Sequence, residues 1–566
     1  MSADILGNRT LTRFDVLIIG SGTGGSSAAA ILTANGQNVL VLEAGPNHYQ
    51  GLDDPMPANV TTTFSNDELK MRRRYFIDQD PLIEPRTFRS NDSMMDREIT
   101  GDINALPKCV GGAAVHSDIK TPRFLPFDFE LGTMLSSVTD ANFADWPITY
   151  DQLEPFYTWA ETTMGVSGVD GADPNQPRRS RPYVMGPGVP MYAALRLADG
   201  ARMRGLSAFP YPMAINSRPY DNRPACNDCG FCGGYGCPTH AKGAPAVTLL
   251  RRALLSGRCQ LRPETRVVRL TRSGSGMSIS GVEAILPDGA RMTFTADRYV
   301  LAASPIEDAR LCLISDPGGP GIGNSSGMLG RNLMFHFQTL GIGIVEERMH
   351  VVRSKNVTHA ITEYRGVPND PMRPLGGIIE LGGPSHPIEE SFNYGISLGA
   401  AGPRLKALLR QSPMRDHLIV LTMQAEDAPQ ARNRVDLDPG VRDYEGLPVP
   451  RISYSNHRFE LGARDFYSPK LLDILQSAGA RWAFIAPVDR PAQSRHILGT
   501  LRFGTDARQS VCNGSGRFHD VDNLYCADGA LFPTSSGYNP ILTIVSVCAR
   551  VAGDMVFPGS PERALM

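Results

Sequence analysis

The chain lacks the features that would assign a protein of 566 residues to a membrane, a nucleic acid or the cell exterior. It has no apolar run close to the ~20 residues that a membrane-spanning helix needs. Its 56 Lys and Arg against 58 Asp and Glu give a formal net charge of −2, so charge gives no reason to expect nucleic acid or an anionic membrane as a partner. The residues before Phe14 lack the charged and apolar regions of a signal peptide, so we expect a cytoplasmic protein.

Cysteine is also scarce, with ten residues, of which four lie close together and six are scattered. This distribution does not resemble a disulfide framework. What the chain does have is length, because 566 residues exceed what one hydrophobic core supports, and we therefore expect two or more domains. The 42% of hydrophobic and 20% of charged residues are ordinary for a globular protein.

The most informative stretch runs from Phe14 to Gly45. It has the order of a buried strand, a glycine loop, an alanine-rich helix, a turn and a second buried strand that ends at Glu43. The spacing G-x-G-x-x-G is common by chance, but in this order of elements it is typical of a dinucleotide site. The loop glycines are Gly20, Gly22 and Gly25.

Each part of this stretch has a physical role in holding a dinucleotide. Gly20 allows the tight turn, Gly22 lets the backbone approach a pyrophosphate, and Gly25 lets the helix pack closely on the strand. The N-terminus of the helix offers free N–H groups to the phosphates, and Glu43 can accept hydrogen bonds from a ribose. The alternative is a β-α-β unit that binds no cofactor.

Further segments, spread over nearly the whole chain, resemble the glucose–methanol–choline (GMC) family of FAD oxidoreductases. Besides the N-terminal stretch, the segments similar to the family are Trp146 to Tyr157, Gly321 to His336 and His496 to Val556. Two more segments resemble the branch that holds gluconate, glucose and fructose dehydrogenases and pyranose 2-oxidase. These are VGGAAVHSDIKTPRF, at Val110 to Phe124, and CNDCGFCGGYGCPTHAKG, at Cys226 to Gly243.

The resemblance implies an α/β fold with a Rossmann-like FAD-binding domain and a β-sheet-plus-helix substrate domain. The FAD-binding domain would comprise residues 1–333, including the cysteine-rich loop 226–243, and residues 493–566, which carry the catalytic residues. The substrate domain would comprise residues 334–492, with a helix predicted from Phe459 to Gly479.

Two residues of the C-terminal segment match the catalytic pair of the family. His496, in H-x-x-G-T, would take the hydroxyl proton of an alcohol while the carbon-bound hydrogen leaves as hydride to flavin N5. Asn539 matches the second position, where it would orient the substrate oxygen by a hydrogen bond but could not act as a base. Asn539-Pro540 also fits a helix start, with Asn as N-cap and Pro as the first helical residue, and both roles are compatible.

The resemblance places other residues on FAD. Gly112 and His116 belong to a second glycine loop, in which His116 aligns with a His that is bonded covalently to the flavin of some relatives. The alternative is a His that only packs against the flavin ring. Val267 would hold the adenine through the backbone of its strand, and Asp528 and Gly529 would close over the pyrophosphate and ribityl chain.

A cysteine cluster has the pattern C-x2-C-x2-C-x4-C-P, which is the bacterial ferredoxin pattern with one extra residue before the last Cys. Its members are Cys226, Cys229, Cys232 and Cys237. Three interpretations compete. The thiolates could ligate an iron–sulfur cluster that carries electrons away from the flavin, they could ligate zinc, or they could belong to a structural loop beside the flavin.

Together these segments predict FAD-dependent oxidation of an alcohol group on a sugar or polyol, with electrons passed to an external acceptor that the sequence does not identify. A dehydrogenase is favoured over an oxidase that releases hydrogen peroxide, because an iron–sulfur cluster would give the electrons a route other than O2. The remaining alternatives are an FAD-bearing lyase without redox chemistry and an electron-transfer subunit. The assemblies expected are a complex with a small partner subunit or a homo-oligomer.

Overall fold

The computed structural model describes residues 5–65, 78–91, 97–104, 106–351, 355–384, 399–411, 416–488 and 494–566. The predicted domain boundary at residues 492 and 493 lies outside these ranges. Within them, the chain forms two six-stranded sheets and several smaller ones.

The first sheet is built from short apolar strands that are buried on both faces, as parallel strands usually are. Val16–Ile19 and Val39–Leu42 are completely buried and pair in parallel, with the helix Thr23–Ala34 between them in the sequence. The C-terminal strand Leu524–Cys526 joins the same sheet through Arg298–Leu301, so the two ends of the chain meet there. In spatial order the strands are Leu6–Gly7, Cys259–Arg262, Val39–Leu42, Val16–Ile19, Arg298–Leu301 and Leu524–Cys526.

The carboxyl ends of these parallel strands lie along one edge of the first sheet. Gly20, Glu43, Ala302 and Ala527 each follow a strand directly at this edge. In open α/β sheets ligands bind at this edge, and the sheet therefore brings the N-terminal glycine loop next to the C-terminal segment.

The second sheet is antiparallel, and one of its faces is covered by the helices Tyr192–Met203 and Arg458–Ser477. The second of these is the helix expected from Phe459 to Gly479. The other face of the sheet stays open toward a cavity, which Gln338, Glu380 and Thr422 line. In spatial order the strands are Trp482–Ile485, Phe337–Ile344, Leu418–Ala425, Gly377–Gly382, Val357–Ile361 and Phe209–Pro210.

Smaller sheets connect parts of the chain that the predicted domain boundaries separate. One combines Arg434–Arg442 and Pro448–Ser453 with Arg86–Arg89 and Ile99–Gly101, and the second large sheet itself includes Phe209–Pro210. The domain boundaries 1–333, 334–492 and 493–566 therefore stay predictions. The remaining strands are Arg266–Arg272, Ile279–Ile285 and Arg291–Phe294 in one sheet and Tyr49–Gln50 and Thr61–Thr62 in another.

Two of the longer helices, Tyr150–Met164 and Arg458–Ser477, begin after a residue whose side chain accepts a hydrogen bond from a free backbone N–H group. Thr149 and Gln152 form reciprocal hydrogen bonds at the start of Tyr150–Met164, and that helix ends at Gly165 with a φ of +77°. The other α-helices are Leu131–Met134, Arg251–Leu255, Pro305–Ile314, Gly402–Gln411 and Ile541–Val556. Short 3₁₀ segments lie at Pro57–Asn59, Gly112–Val115, Pro126–Phe129, Glu363–Arg365, Gly529–Leu531 and Pro561–Leu565, and a short π-helix lies at Ala246–Leu250. In the ranges described above, no helix is both long and apolar enough to cross a membrane.

Candidate active site

A cavity of about 670 Å³ is lined by the carboxyl edge of the first sheet and by the open face of the second. Its volume lies within the range of cofactor and substrate sites, roughly 300–1,000 Å³. Most of the residues predicted for the site line it, whereas Gly25, Gly529 and the four cysteines of the cysteine-rich loop do not. The predicted residues in the lining are Gly20, Gly22, Glu43, Gly112, His116, Val267, His496, Asp528 and Asn539.

Two glycine loops form a part of the cavity wall that is free of side chains. Gly20 has a φ of +102°, and a Cβ there would lie 2.3 Å from the carbonyl oxygen of Ala302. Gly112 has a φ of +54°, and its Cβ would lie 2.9 Å from the Cα of Gly22. A Cβ on Gly25 would lie 2.0 Å from the Gly20 oxygen, so this glycine allows the close packing of helix and strand. Such a bare backbone, at the start of a helix, fits the pyrophosphate of a dinucleotide.

Glu43 is held by the glycine loop itself. One carboxylate oxygen accepts hydrogen bonds from the backbone N–H and the hydroxyl of Ser21, at 2.9 and 2.6 Å, and the other accepts from the N–H of Gly45 at 2.9 Å. Burial raises the pKa of Glu43 above its usual value, although these hydrogen bonds act in the opposite direction. A carboxylate has about four acceptor sites, so Glu43 keeps capacity for a ribose hydroxyl. The sequence did not indicate the role of Ser21.

Charged pairs surround Val267 at one end of the cavity. Lys108 Nζ lies 2.6 Å from Glu84 Oε1, and Arg266 Nη2 lies 2.6 Å from Asp443 Oδ2. These residues come from distant parts of the chain, so no local sequence pattern announced them. They join the loops around the end of the cavity where the adenine is expected.

Asp528 lies at the carboxyl edge with a second buried carboxyl group, Asp308, close by. Asp528 accepts hydrogen bonds from the backbone N–H groups of Ser304 and Ala530, each at 3.2 Å. Burial raises the pKa of Asp528 to about 6, and burial together with the neighbouring Asp528 raises that of Asp308 well above its usual value. Two adjacent buried carboxyl groups do not both ionise readily, and each therefore holds a proton to a higher pH than an exposed carboxyl group does.

His496 lies at the cavity with a second histidine, His336, behind it. The two Nδ1 atoms are 2.9 Å apart, and the rings are perpendicular. His336 Nε2 lies 3.0 Å from the carbonyl oxygen of Ser535. A carbonyl oxygen only accepts, so His336 Nε2 carries a proton and donates it to Ser535.

The protonation of this pair follows from burial. Burial lowers the pKa of His336 to about 4, and burial followed by the proximity of His336 lowers that of His496 well below 6.5. Both rings are therefore neutral at pH 7. Since His336 bears its proton on Nε2, its Nδ1 accepts from His496 Nδ1, and His496 Nε2 is left without a proton. The arrangement presents a base at the cavity.

The neutral His336 makes stability dependent on pH. The unfolded chain binds a proton on this residue near pH 6.5, whereas the folded chain does so only near pH 4. The stabilisation is therefore fully present above pH 6.5 and is lost as the pH falls toward 4. Urea unfolding between these pH values measures how the free energy of unfolding changes with pH. We expect His336→Gln to lower the number of protons taken up on unfolding by about one, and so to reduce the loss of stability on acidification. An unchanged pH slope would contradict a neutral His336.

Asn539 does not cap a helix, contrary to one of the roles expected for it. The helix Ile541–Val556 has Pro540 at its N-cap position and no side-chain capping bond. Asn539 is instead buried at the cavity wall, where its Oδ1 accepts a hydrogen bond from the hydroxyl of Tyr211. The local rule for Asn-Pro was wrong here because a tertiary partner takes the side chain.

His116 follows the 3₁₀ segment Gly112–Val115 and is buried. Its Nδ1 lies 3.1 Å from Arg495 Nη1 and 3.6 Å from a carboxylate oxygen of Asp78. Burial lowers the pKa of His116, opposed by the hydrogen bond with Asp78. Its carbonyl oxygen accepts from the N–H of Gly234 at 2.7 Å, which joins this loop to the cysteine-rich loop.

The cysteine-rich loop is organised around a lysine. The ammonium of Lys242 is fully buried and donates to carbonyl oxygens of both loops at distances from 2.7 to 3.2 Å. Burial alone would raise the pKa of Cys237, but Lys242 and neighbouring backbone N–H groups bring it below its usual value. The accepting carbonyl groups belong to Val115, Ser117, Cys232 and Tyr235.

The cysteines of this loop are free thiols. Among the residues that the structure describes, no three His, Cys, Asp or Glu side chains are grouped so as to hold a metal ion. The thiols as placed therefore do not show the expected iron–sulfur or zinc site. Metal binding by Cys226, Cys229, Cys232 and Cys237 stays a prediction.

The remaining wall of the cavity, on the open face of the second sheet, is polar. Lys120 Nζ lies 2.6 Å from Glu380 Oε2 and 3.2 Å from Asp118 Oδ2, and it lies close enough to His496 to help lower the pKa of that residue. Gln338 Nε2 donates to Gln424 Oε1 at 3.0 Å. This wall therefore offers both donors and acceptors to a ligand beside the base.

The glycine cradle, formed by Gly20, Gly22 and Gly112, and the cavity with its neutral histidine pair fit a dinucleotide-dependent oxidoreductase. Sequence models described as GMC oxidoreductase match residues 201–338 and 429–548, and one described as FAD binding domain matches residues 15–50. The chain belongs to the GMC oxidoreductase family, and the expected family and fold are confirmed. Its cofactor is FAD, which the glycine cradle fits, and it acts on alcohol groups.

Known proteins resemble the chain over nearly its whole length. It is 28% identical to the fructose dehydrogenase large subunit of Gluconobacter japonicus, over 97% of this chain and 98% of that protein. It is also 28% identical to 6'''-hydroxyparomomycin C oxidase of Streptomyces lividus, over 97% of this chain and 93% of that protein. A variant of the formate oxidase of Aspergillus oryzae superposes with a TM-score of 0.62 at 15% identity, covering 98% of each chain, which shows the fold alone.

Sequence reasoning missed His336, Tyr211 and Lys120 as members of the site. His336 ends a segment that resembled the family, so its position was noticed but its role was not. Lys120 lies in the same glycine loop as His116. Tyr211 has no sequence signal, because its partner Asn539 lies 328 residues further along the chain.

Proposed function

We propose that this protein oxidises an alcohol group of a sugar or polyol and passes the electrons to an external acceptor. The observation that carries the proposal is the chain of hydrogen bonds from Ser535 through His336 to His496, a residue that lines the cavity. This chain assigns the proton of His496 to Nδ1 and leaves its Nε2 unprotonated. FAD, when bound, supplies the acceptor for the hydride that leaves the alcohol carbon.

Side chains of the protein would take the hydroxyl proton and bind the substrate oxygen. His496 Nε2 takes the hydroxyl proton, and its Nδ1–H stays bonded to His336 while the ring becomes an imidazolium. The amide of Asn539 holds the substrate oxygen as that oxygen gains negative charge. The low pKa of His496 keeps the base available well below pH 6.5.

The polar wall of the cavity is evidence for a substrate with several hydroxyl groups. Gln338, Gln424 and Thr422 carry amide and hydroxyl groups that both donate and accept, as neighbouring sugar hydroxyls do. Lys120 with its two carboxylate partners adds charged groups on the same side. One relative is named for fructose and another, from Mycolicibacterium austroafricanum, for 2-methyl-1,2-propanediol, which also supports a polyol.

The proposal is tested by anaerobic bleaching of the flavin with D-fructose, D-glucose, D-gluconate, D-sorbitol and 2-methyl-1,2-propanediol. Bleaching by at least one of these is expected, and none would contradict the proposal and favour a lyase or an electron-transfer subunit. The same substrate is then tested under air with and without an artificial electron acceptor. If hydrogen peroxide forms rapidly and in equal amount to the product, the protein is an oxidase and the assignment as a dehydrogenase is wrong. Two relatives are named as oxidases.

The cofactor proposals are tested on one anaerobic preparation. We propose that His116 bonds covalently to the flavin, since it is neutral and lines the cavity. Acid precipitation should then leave the protein pellet yellow, and yellow colour in the supernatant would rule the bond out. Iron and acid-labile sulfide are measured in parallel, and the absence of both would end the iron–sulfur prediction.

The assembly and the location of the protein stay predictions. The name of one relative as a large subunit supports a small partner subunit that would receive electrons, and a homo-oligomer is the alternative.

A further inference from the structure

The side chain of Asn539, in the loop before the helix Ile541–Val556, accepts a hydrogen bond from Tyr211, which follows the edge strand Phe209–Pro210 of the second sheet. We propose that Tyr211 is a positioning residue that fixes the amide of Asn539 with its NH2 group toward the reacting alcohol oxygen. This inference rests on the proposed function, because it concerns the substrate oxygen from which His496 takes the proton.

Tyr211 is itself held rigidly. It follows the edge strand Phe209–Pro210 of the second sheet, and its backbone N–H donates to the carbonyl oxygen of Thr358 at 2.9 Å. Its side chain is 2% exposed. Burial, together with the nearby Glu380 and Asp118, raises the pKa of Tyr211 well above 10, so its hydroxyl stays protonated at any working pH.

The hydroxyl of Tyr211 decides which way the amide of Asn539 points. The hydroxyl donates to Asn539 Oδ1, so the carbonyl side of the amide faces Tyr211 and the Nδ2 side faces away from it. Asn539 lines the cavity, and no group in the described ranges accepts a hydrogen bond from its Nδ2. The two N–H bonds of this group are therefore available to a ligand.

The orientation matters because the two faces of the amide have opposite effects on the reaction. An N–H donor stabilises an oxygen that gains negative charge as its proton leaves. A carbonyl oxygen in the same place would repel it. No helix-capping bond restrains Asn539, because Pro540 is the N-cap residue, so without Tyr211 the amide is free to rotate.

The test is a double-mutant cycle on Tyr211→Phe and Asn539→Ala, with the panel substrate that bleaches the wild-type flavin. Tyr211→Phe should lower the limiting rate constant of anaerobic flavin reduction by roughly tenfold, the size of one hydrogen bond, with less than a twofold change in substrate Kd. Asn539→Ala should lower it by roughly 100-fold. In the Asn539→Ala background, Tyr211→Phe should change the rate constant by less than about twofold, because the two residues act through one bond.

A matched control is Tyr157, whose partner Thr543 lies in the helix that follows Asn539. Tyr157 is also fully buried, and its hydroxyl bonds Thr543 at 2.8 Å instead of Asn539. Tyr157→Phe should combine additively with Asn539→Ala. If Tyr211→Phe is equally additive, or leaves the rate constant unchanged, the proposal is wrong.

A stability cycle keeps the inference testable when no substrate is found. Urea unfolding of the FAD-loaded wild type, the two single variants and the double variant measures whether Tyr211→Phe and Asn539→Ala are non-additive, as two bonded partners should be. Additive losses of stability would overturn the bond and with it the role of Tyr211. Failure of every panel alcohol to bleach the flavin would overturn the proposed function and leave this measurement valid.

Discussion

Replacing His496 with Gln is expected to lower the limiting rate constant of anaerobic flavin reduction by roughly 10²- to 10⁴-fold, the share that a positioned general base supplies. Gln cannot take a proton, although its amide can still donate to His336 Nδ1. The flavin content should stay close to that of the wild type, because His496 lies outside the glycine cradle. Stopped-flow absorbance of the flavin measures the rate constant directly.

His336→Gln is the matched control for this prediction. Its side chain can still donate to the carbonyl oxygen of Ser535, but it no longer fixes the proton of His496 on Nδ1. We expect a smaller loss, of roughly tenfold, because His496 remains and only its tautomer is less well defined. If His496→Gln retains more than a tenth of the wild-type rate constant, the base is elsewhere, and the carboxylates of Asp118 and Glu380 become the candidates.

The sequence was sufficient where function depends on local geometry. The glycine loop could be predicted because a strand, a turn and a helix N-terminus place Gly20 and Gly22 by short-range rules, and the structure has these elements. His496 was found through a family resemblance, since a single His has no pattern of its own. The structure places it at the cavity with the glycine loop.

The sequence was insufficient where function depends on contacts between distant residues. The bond from His496 to His336 spans 160 residues, and hydrophobic periodicity carries no information about such a pair. The Asn-Pro pair at 539 and 540 shows the reverse case, in which a reliable local rule is overridden by a tertiary partner, Tyr211. The cysteine spacing likewise permits metal binding, but the placement of the thiols, with Lys242 bonded to the loop backbone, decides whether a metal fits.

The second large effect is expected at a buried ion cluster behind the histidine pair. Arg365 Nη2 lies 2.5 Å from Asp128 Oδ1 and 3.1 Å from Glu426 Oε2, and all three side chains are at most 1% exposed. Arg365→Met would leave both carboxyl groups without their cation, which costs about 3–5 kcal/mol of unfolding free energy in comparable buried pairs. Urea unfolding of the FAD-loaded protein at pH 8 measures the loss.

The same variant should also lower activity, because Glu426 supports the carbonyl group that orients His336. Glu426 Oε1 accepts from the backbone N–H groups of Ser535 and Ser536, at 3.0 and 2.8 Å. Burial raises the pKa of Glu426 to about 7 although Arg365 lowers it, so without Arg365 this carboxyl group is protonated at pH 7. It then holds the segment of Ser535 and Ser536, the serine loop, less firmly. The stability loss should be larger at pH 8 than at pH 6, where the protonated form no longer needs a cation.

Arg123→Met separates these two effects. Arg123 is 1% exposed and pairs with Glu154 and Glu161 at 3.0 and 2.7 Å, but this cluster has no bond to Ser535. It should therefore destabilise the protein while leaving the rate constant of flavin reduction in the surviving folded fraction within about twofold. Equal losses of activity in the two variants would mean that Arg365 acts only through global stability, and that the serine loop does not depend on Glu426 for its position behind the base.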